Sequence, residues 1–315
     1  MNQTLLLIMN PCAGMKRANR FLTDILSLFS SFGWETLVHM TQARGDGRQA
    51  VERLAGSVGR IVCIGGDGTY NECVDGLIAS EVQVPLGYIP AGSTNDFAKS
   101  LHLSRNILQA ARDIMEGSER YLDVGSFGGR HFTYVASFGA FTKTSYSTPQ
   151  STKNALGHLA YILEGIKDLS SIRPQSLTFR TPDRTVRGDY VFGAISNSTS
   201  VAGILTISPK IVDMNDGKFE VLLIRMPANP ADLNEAIRAL TVQDYDSYMI
   251  DFFSAGTIDI TASPDMDWTL DGEWQKGAEK IRVENLHNAI RIITKEKKTK
   301  HNELSEKGEV QPTDE

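Results

Sequence analysis

The sequence contains little cysteine, and its three cysteines do not suggest a disulfide framework. Cys12, Cys63 and Cys73 are an odd number, and each lies in or beside an apolar run. That placement is typical of reduced, buried thiols in a reducing compartment. We therefore expect a cytosolic protein without structural disulfides.

Long hydrophobic runs are also missing. The apolar run at the N-terminus, Leu5 to Met9, has no basic segment before it and stops at Asn10-Pro11. It is too short for a signal peptide, and no run elsewhere approaches the ~20 residues of a membrane span. The sequence predicts a soluble protein that would contact lipid from its surface.

The sequence also lacks an excess of positively charged residues. The chain has 32 Lys and Arg against 38 Asp and Glu, a net charge of −6. Nucleic-acid binders usually carry a basic surface, so we expect no nucleic-acid partner. The 315 residues, of which 41% are hydrophobic, are enough for two domains with substantial cores.

The first 120 residues alternate strand-like and helix-like patterns. Such alternation predicts right-handed βαβ units and a parallel sheet, whose ligands bind at the carboxyl ends of the strands. The strand patterns are Thr4–Asn10, Trp34–Met40, Arg60–Ile64 and Pro85–Pro90. The helical patterns are Met15–Ser31, Gly47–Ser57, Tyr70–Ser80 and Asn106–Glu116.

After Tyr121 the pattern changes to short β-rich runs separated by turn residues, which predicts an antiparallel β-sandwich. Helical patterns interrupt it near Asn154–Leu169 and Ala231–Leu240, and a charged tail that we expect to be disordered begins at Lys295. The predicted domains are therefore 1–121, 122–294 and the tail 295–315. The runs are Arg130–Phe138, Ser176–Arg180, Tyr190–Asn197, Phe219–Arg225, Thr257–Ala262 and Ile290–Thr294.

The segment from Arg60 to Glu72 is the most informative in the chain. A β-branched run leads into Gly65-Gly66-Asp67-Gly68-Thr69, and a helical pattern follows. A strand, a glycine turn and a helix start direct free backbone N–H groups at an anion, and glycines let phosphate approach closely. The Asp indicates a nucleotide bound with Mg²⁺. A plain turn is the alternative, and neither the Walker A nor the G-x-G-x-x-G motif is present.

Two other loops at the same predicted edge are rich in capping residues. Lys16, Arg17 and Arg20 follow Asn10–Gly14, and cations there oppose the helix dipole unless an anion is bound. Ser93 to Asp96 supplies four capping residues in a row, more than one helix needs. The first loop favours a phosphate ligand and the second favours a functional role, although each is also compatible with an ordinary helix start.

Two acidic motifs lie in the second half. Asp271-Gly272-Glu273 is typical of a hairpin turn, although the two carboxylates could also orient a metal and accept a proton. The run from Asp213 to Gly217 resembles a calcium loop, but Ile224 at its twelfth position excludes an EF-hand. A turn or a small divalent-ion site remains for that loop.

Four motifs in order complete the pattern: Asn10-Pro11-x-x-Gly14, Gly65 to Glu72, Pro90 to Phe97 and Asp271 to Glu273. Up to about Thr294 the chain resembles the catalytic domain of diacylglycerol kinases, closest to the soluble bacterial lipid kinases of that group. The Gly-Gly-Asp-Gly part is shared with NAD kinases and phosphofructokinases. The resemblance implies a first α/β domain like phosphofructokinase or NAD kinase and a second domain that is a β-sandwich.

The resemblance also implies roles for particular residues. Glu273 corresponds to the general base for the lipid hydroxyl, with Asp271 as its partner. A catalytic Mg²⁺ would lie among Asp67, Asp96 and Asp123, and a structural Mg²⁺ would bind Asp216 and the carbonyls of Asp213 and Lys218. ATP would bind Asn10, Pro11, Cys12, Ala13, Gly14, Thr41, Gly65, Gly66, Asp67, Gly68, Thr69, Asn71, Glu72 and Thr94.

The implied activity is ATP-dependent phosphorylation of a lipid primary hydroxyl, with diacylglycerol as the expected acceptor. A sphingoid base, another lipid alcohol or NAD remains an alternative acceptor, and an inactive nucleotide- or lipid-binding regulator is a further one. The protein would contact the inner face of the membrane peripherally, and a β-strand edge could support a homodimer. The basic face for that contact would comprise Lys16, Arg17, Arg20, Lys143, Lys153 and Lys167.

Overall fold

The structure is a computed structural model that describes residues 3–93, 95–139, 174–201, 205–208 and 211–295. In its N-terminal half, a parallel sheet has the strand order β2-β1-β3-β4, which confirms the predicted α/β architecture. The strands are β1 (Thr4–Met9), β2 (Glu35–Met40), β3 (Arg60–Gly65) and β4 (Leu86–Pro90).

Helices cover both faces of this sheet. The predicted helix Met15–Ser31 begins as a 3₁₀ segment, Ala13–Phe21, and becomes α-helical only at Leu22. The polar stretch before Phe21 lacks the apolar spacing of a packed α-helix, and 3₁₀ turns are common at such starts. The helices are α1 (Leu22–Ser31), α2 (Asp46–Leu54), α3 (Asp67–Ser80), α4 (Asp96–Ser100) and α5 (Ile107–Glu116).

The C-terminal half is built mainly from antiparallel strands, as predicted, and contains α6 (Pro230–Val242). The helical pattern near Asn154–Leu169 and the tail after Lys295 lie outside the described residues. The strands are β5 (Ser118–Phe127), β6 (Arg130–Phe132), β7 (Val135–Gly139), β8 (Gln175–Arg180), β9 (Thr185–Ser196), β10 (Ser200–Val201), β11 (Leu205–Thr206), β12 (Phe219–Arg225), β13 (Ile250–Ala255), β14 (Thr257–Thr261), β15 (Trp268–Leu270), β16 (Glu273–Gln275) and β17 (Lys280–Thr294).

Strands β5 and β17 join the two halves. They pair antiparallel over most of their length, with a register shift between Leu286 and Ile290. Beyond that shift β17 reaches the parallel sheet, where Ile292 pairs with Leu86 of β4. The chain therefore returns to its first half at its end, and the boundary proposed at residue 121 falls inside β5.

The core follows this arrangement. Successive residues of β1 face opposite sides of the parallel sheet, and both sides are fully buried, as expected for a sheet covered by helices on both faces. Aromatic side chains fill the interior of the C-terminal half, among them Phe138, Phe179 and Trp268. Among the described helices, none has the length and apolar character needed to cross a membrane.

Candidate active site

The N-terminus of α3 forms the centre of the candidate site. β3 ends at Gly65, Gly66 is the N-cap, and the helix begins at Asp67. The first N–H groups of a helix have no intrahelical partner and carry the positive end of its dipole. Asn10 donates a hydrogen bond from Nδ2 to Thr69 Oγ1 at 3.2 Å, which connects the loop after β1 to this turn. The turn is therefore suited to an anion.

Glycines allow the loops after β1, β3 and β4 to pack backbone against backbone. A Cβ on Gly92 would lie 2.6 Å from the Cα of Gly66, too close for any side chain. Gly14 has φ +53°, and a Cβ there would overlap the carbonyl oxygen of Ala91. The two predicted loops at Asn10–Gly14 and Pro90–Phe97 thus meet the glycine turn. Such a cradle of closely packed loops lets phosphate oxygens approach backbone N–H groups.

Two of the predicted metal-binding carboxylates lie together beside this cradle. Asp67 accepts hydrogen bonds from the backbone N–H groups of Asp96 at 3.0 Å and Phe97 at 3.3 Å. The side chain of Asp96 pairs with Lys99 at 2.6 Å. Asp67 therefore connects the start of α3 to the start of α4. Thr94, predicted to contact ATP, lies outside the described residues.

Glu72 holds a neighbouring loop. Its carboxylate accepts from the N–H groups of Gly45 at 2.7 Å and Gly47 at 3.1 Å, at the start of α2. Thr41, at the end of β2, donates its own N–H to the carbonyl of Met9 at 2.9 Å. The loop between β2 and α2 is thereby fixed next to α3, and the Glu72 carboxylate is occupied by protein groups.

Asp271 and Gly272 form the turn of the β15–β16 hairpin, with φ values of +49° and +82°. Positive φ at both central residues is typical of a two-residue hairpin turn, so the hairpin prediction is confirmed. The Asp271 side chain is buried, and it accepts five hydrogen bonds. The donors are Asn71 Nδ2 (2.8 Å), Thr133 N (2.5 Å), Thr133 Oγ1 (2.8 Å), Tyr134 N (3.0 Å) and Val135 N (3.0 Å).

These contacts make Asp271 a positioning residue. Burial raises the pKa of Asp271 to about 6, while the hydrogen bonds from Thr133, Val135 and Tyr134 favour its charged form. Both carboxylate oxygens are taken by donors from two separate parts of the chain. One of those donors, Asn71, lies on α3, so Asp271 fixes the hairpin against α3.

Glu273 is the first residue of β16 and lies opposite the glycine turn. A Cβ on Gly68 would be 3.5 Å from Glu273 Oε1. Its other oxygen, Oε2, accepts from Arg44 Nη2 at 2.5 Å and from Arg130 Nη2 at 2.6 Å. The Glu273 side chain is 42% exposed, so solvent or a substrate can reach it. The structure therefore brings the predicted base to the first turn of α3.

The two arginines were not among the residues identified from the sequence. Arg44 lies in the loop before α2 and Arg130 begins β6, and neither belongs to a recognisable motif. Arg20, from the predicted basic face, is exposed at the end of the 3₁₀ segment. The side chains of Lys16, Arg17, Lys143, Lys153 and Lys167 lie outside the described residues.

The Asp213–Lys218 loop lies apart from these contacts. Asp213 Oδ1 accepts from Asn215 N at 3.0 Å, and Asp216 Oδ1 accepts from Lys218 N at 2.9 Å. Asn285 Nδ2 donates to the Lys218 carbonyl, one of the predicted ligands, at 3.1 Å.

Asp123, on β5, contacts this loop. Its carboxylate accepts from Gly217 N at 2.7 Å and from Asn288 N at 2.9 Å. Its contacts with the described residues include neither Asp67 nor Asp96, with which the sequence grouped it. Asp123 is also buried, whereas the side chain of its partner His287 is half exposed. The structure thus associates Asp123 with the second of the two predicted Mg²⁺ sites.

Buried oxygens beside the loop fit a divalent cation. Glu220 Oε2 and Asn285 Oδ1 are buried without a hydrogen-bond partner among the described residues. Burial, and then the charges of Asp216 and Asp213, raise the pKa of Glu220 to about 8. Mg²⁺ and Ca²⁺ prefer such oxygen ligands. The described residues contain no group of three or more His, Cys, Asp or Glu placed for a metal, so backbone carbonyls would have to share the coordination.

Comparison with known proteins agrees with this architecture. A family model for the diacylglycerol kinase catalytic domain matches residues 4–127. Diacylglycerol kinase of Bacillus subtilis (strain 168) is 32% identical over 295 residues, covering 93% of this chain and 96% of the relative. A diacylglycerol kinase of Staphylococcus epidermidis (strain RP62A) is 29% identical over 290 residues, covering 91% of each.

A solved structure shares the fold. The crystal structure of a diacylglycerol kinase from Bacillus anthracis str. Sterne superposes with a TM-score of 0.72 at 22% identity, covering 93% of this chain and 97% of the other. The parallel half, the antiparallel half and their junction are therefore common to both. Together with the identity across nearly the whole chain, these findings establish that the protein belongs to the diacylglycerol kinase family.

Proposed function

We propose that this protein transfers the γ-phosphoryl group of ATP to the primary hydroxyl of a lipid, with diacylglycerol as the acceptor. The observation that carries the proposal is the position of Glu273, whose Oε1 faces Gly68 in the first turn of α3. A carboxylate beside a phosphate-binding turn can accept the proton of an attacking hydroxyl. Curated relatives named diacylglycerol kinase support the choice of acceptor.

The N-terminal half would hold the nucleotide. The backbone N–H groups of Gly66 to Thr69 and the positive end of the α3 dipole would bind phosphate oxygens. Gly14 and Gly92 allow the loops after β1 and β4 to pack closely beside that turn. Mg²⁺ near Asp67 and Asp96 would neutralise phosphate charge during transfer. The phosphates would then lie under the hairpin that carries Glu273.

The C-terminal half would supply the base. Glu273 Oε1 has no hydrogen-bond partner among the described residues, and it is the oxygen that would take the hydroxyl proton. The lipid oxygen would form its bond to the γ-phosphorus as the bond to the ADP oxygen breaks, leaving ADP and a phosphorylated lipid. Asp271 holds the hairpin to Asn71 on α3, which fixes the distance between base and phosphate.

The remaining elements of the proposal concern the surroundings of this reaction. The Asp213–Lys218 loop, with Glu220 and Asn285, would hold a structural Mg²⁺. The acceptor is a membrane lipid, so the protein would work in peripheral contact with the cytoplasmic face of a bilayer, and exposed Arg20 is suited to that contact. A homodimer formed through a strand edge is a further part of the proposal.

The direct test is phosphate transfer from Mg²⁺-ATP to diacylglycerol in mixed micelles by wild-type protein and the Glu273→Gln variant. General-base catalysis contributes roughly 10²–10⁴-fold, so kcat should fall by about 10³-fold in the variant. Glu279→Gln, at an exposed carboxylate shortly before β17, is the matched control and should retain wild-type activity.

Two outcomes would contradict the proposal. Full activity in Glu273→Gln would exclude Glu273 as the general base. It would not affect the assignment of the chain to the diacylglycerol kinase family. Sphingosine and NAD would be tested in the same assay. Phosphate transfer to either of them, with none to diacylglycerol, would show a different acceptor. Nucleotide binding without transfer to any of the three would instead indicate a regulator.

A further inference from the structure

The carboxylate of Glu273 lies between two arginines that are held very differently. Arg130 is 31% exposed and, besides Glu273, donates to the Trp274 carbonyl at 3.0 Å and to Gln275 Oε1 at 2.9 Å. All three of these acceptors belong to β16. Arg130 is thus fixed to the hairpin and would move together with the carboxylate that it contacts.

Arg44 comes from the opposite side of the site. Its side chain is 76% exposed, and within the described part of the chain Glu273 is its one polar contact. Its backbone, by contrast, is well anchored, because the N–H of the next residue, Gly45, donates to Glu72 of α3. Arg44 therefore combines a fixed attachment beside α3 with a side chain that is free to change partners.

We infer that Arg44 is a phosphate-binding residue. When ATP binds, its guanidinium would release Glu273 and contact the γ-phosphate instead. This inference rests on the proposed function, since it places the triphosphate at the first turn of α3. Glu273 faces that turn across Gly68, so a guanidinium in contact with Glu273 is also close to the expected γ-phosphate. Arginine binds phosphate in a bidentate manner, whereas an exposed ion pair with a carboxylate contributes little stability.

The exchange would serve both reactants. While Arg44 remains on Glu273, two guanidiniums occupy one side of the carboxylate and hinder the approach of a hydroxyl. Its departure opens that side, and Arg130 alone keeps Glu273 in position. At the phosphate, the guanidinium would balance the charge on the phosphoryl group during transfer. Nucleotide binding would thereby prepare the base for the lipid.

The test compares Arg44→Gln with Arg48→Gln, which removes an exposed cation from α2 a turn further along. Calorimetry would give the Kd of each full-length variant for a non-hydrolysable ATP analogue and for ADP, both with Mg²⁺. Because Arg44 would contact the γ-phosphate alone, Arg44→Gln should raise the Kd of the analogue at least tenfold and leave that of ADP within twofold. Arg48→Gln should change neither.

Turnover with diacylglycerol provides a second readout. Arginines that contact a transferred phosphoryl group are worth 10³–10⁵-fold at most, and we expect about 10²-fold lower kcat in Arg44→Gln. Arg130→Gln should lower kcat while preserving the discrimination between the analogue and ADP, as a positioning residue would. Arg44→Lys keeps the positive charge but lacks the planar guanidinium that binds phosphate through two N–H groups. It should recover part of the turnover that Arg44→Gln loses.

Three results would overturn the inference. Wild-type affinity of Arg44→Gln for both nucleotides would exclude contact with the γ-phosphate. A higher kcat in this variant would mean that Arg44 only covers the base. Loss of discrimination for the γ-phosphate in Arg48→Gln as well would make the effect one of overall charge.

Failure of the proposed function would give a different result. If the wild-type protein bound the two nucleotides but did not phosphorylate diacylglycerol, the proposed acceptor would be wrong, while the two Kd values would still decide the role of Arg44.

Discussion

The two halves of this protein contribute to the site by different chemical means. Apart from Arg44 and the carboxylates of Asp67 and Asp96, the N-terminal half presents backbone amides and glycines, most closely packed at Gly66 and Gly92. The C-terminal half presents side chains, namely Asp271, Glu273 and Arg130. A phosphate chain requires many donors at fixed positions, which a helix start provides, whereas proton transfer requires one titratable group. The division of labour follows from these requirements.

The halves also differ in how a substitution should affect them. Packing of backbone on backbone in the N-terminal half leaves no room for a Cβ, so added volume is the sensitive change. Satisfied hydrogen bonds in the C-terminal half make a change of polarity the sensitive one. A substitution that adds volume and one that changes polarity therefore distinguish the two halves.

The largest effect on stability is expected from Asp271→Asn. The asparagine amide would direct N–H groups at the backbone donors of Thr133 to Val135, leaving buried donors without acceptors. We expect a loss of about 3 kcal/mol in the free energy of unfolding, measured by urea denaturation. Asp265→Asn, at an exposed carboxylate, should stay within about 0.5 kcal/mol of wild type. Equal stability of the two variants would contradict a structural role for Asp271.

The next effect concerns the cradle formed by the loops after β1, β3 and β4. In Gly92→Ala the new methyl group would press on the Cα of Gly66 and on Asn95 Oδ1, which is 2.7 Å away. Overpacking of this kind costs roughly 1–3 kcal/mol, and we expect the Kd for the ATP analogue to rise about tenfold. In Gly56→Ala the new methyl group meets only open space, so that variant serves as the control. An unchanged Kd in Gly92→Ala would separate the cradle from nucleotide binding.

The smallest effect is expected at the Asp213–Lys218 loop. A cation that binds only the folded state stabilises it by about 1.4 kcal/mol at ten times its Kd. Adding Mg²⁺ after chelation should therefore raise the Tm of wild-type protein by a few degrees. Asp216→Asn should abolish most of this rise. A rise of equal size in both proteins would show that the loop is not the site responsible.

The sequence predicted the N-terminal half well because its signals are local. Strand, glycine turn and helix start follow one another within Arg60 to Glu72, and the sheet brings the similar loops at Gly14 and Gly92 to the same edge. The hairpin at Asp271 was also recognisable, since Asp-Gly favours positive φ. The 3₁₀ start before Leu22 was not predicted, because the helical pattern was extended from its apolar residues back into a polar stretch that lacks their spacing.

Contacts between distant parts of the chain could not be predicted in this way. The sequence does not indicate that Arg44 and Arg130 share Glu273, because 229 and 143 residues separate them from it. The same limit applies to Asp123. The family resemblance grouped it with Asp67, whereas its observed partners include Gly217 in the Asp213–Lys218 loop and Asn288 in β17. The contact between Asp123 and Asn288 depends on the pairing of β5 with β17, which forms only in the folded chain.

A crystal structure with Mg²⁺ and a non-hydrolysable ATP analogue would test the division of labour most directly. The account predicts phosphate oxygens on the backbone amides of Gly66 to Thr69, with the γ-phosphate beneath Glu273 Oε1. A triphosphate held mainly by side chains of the C-terminal half, or placed away from the start of α3, would contradict it.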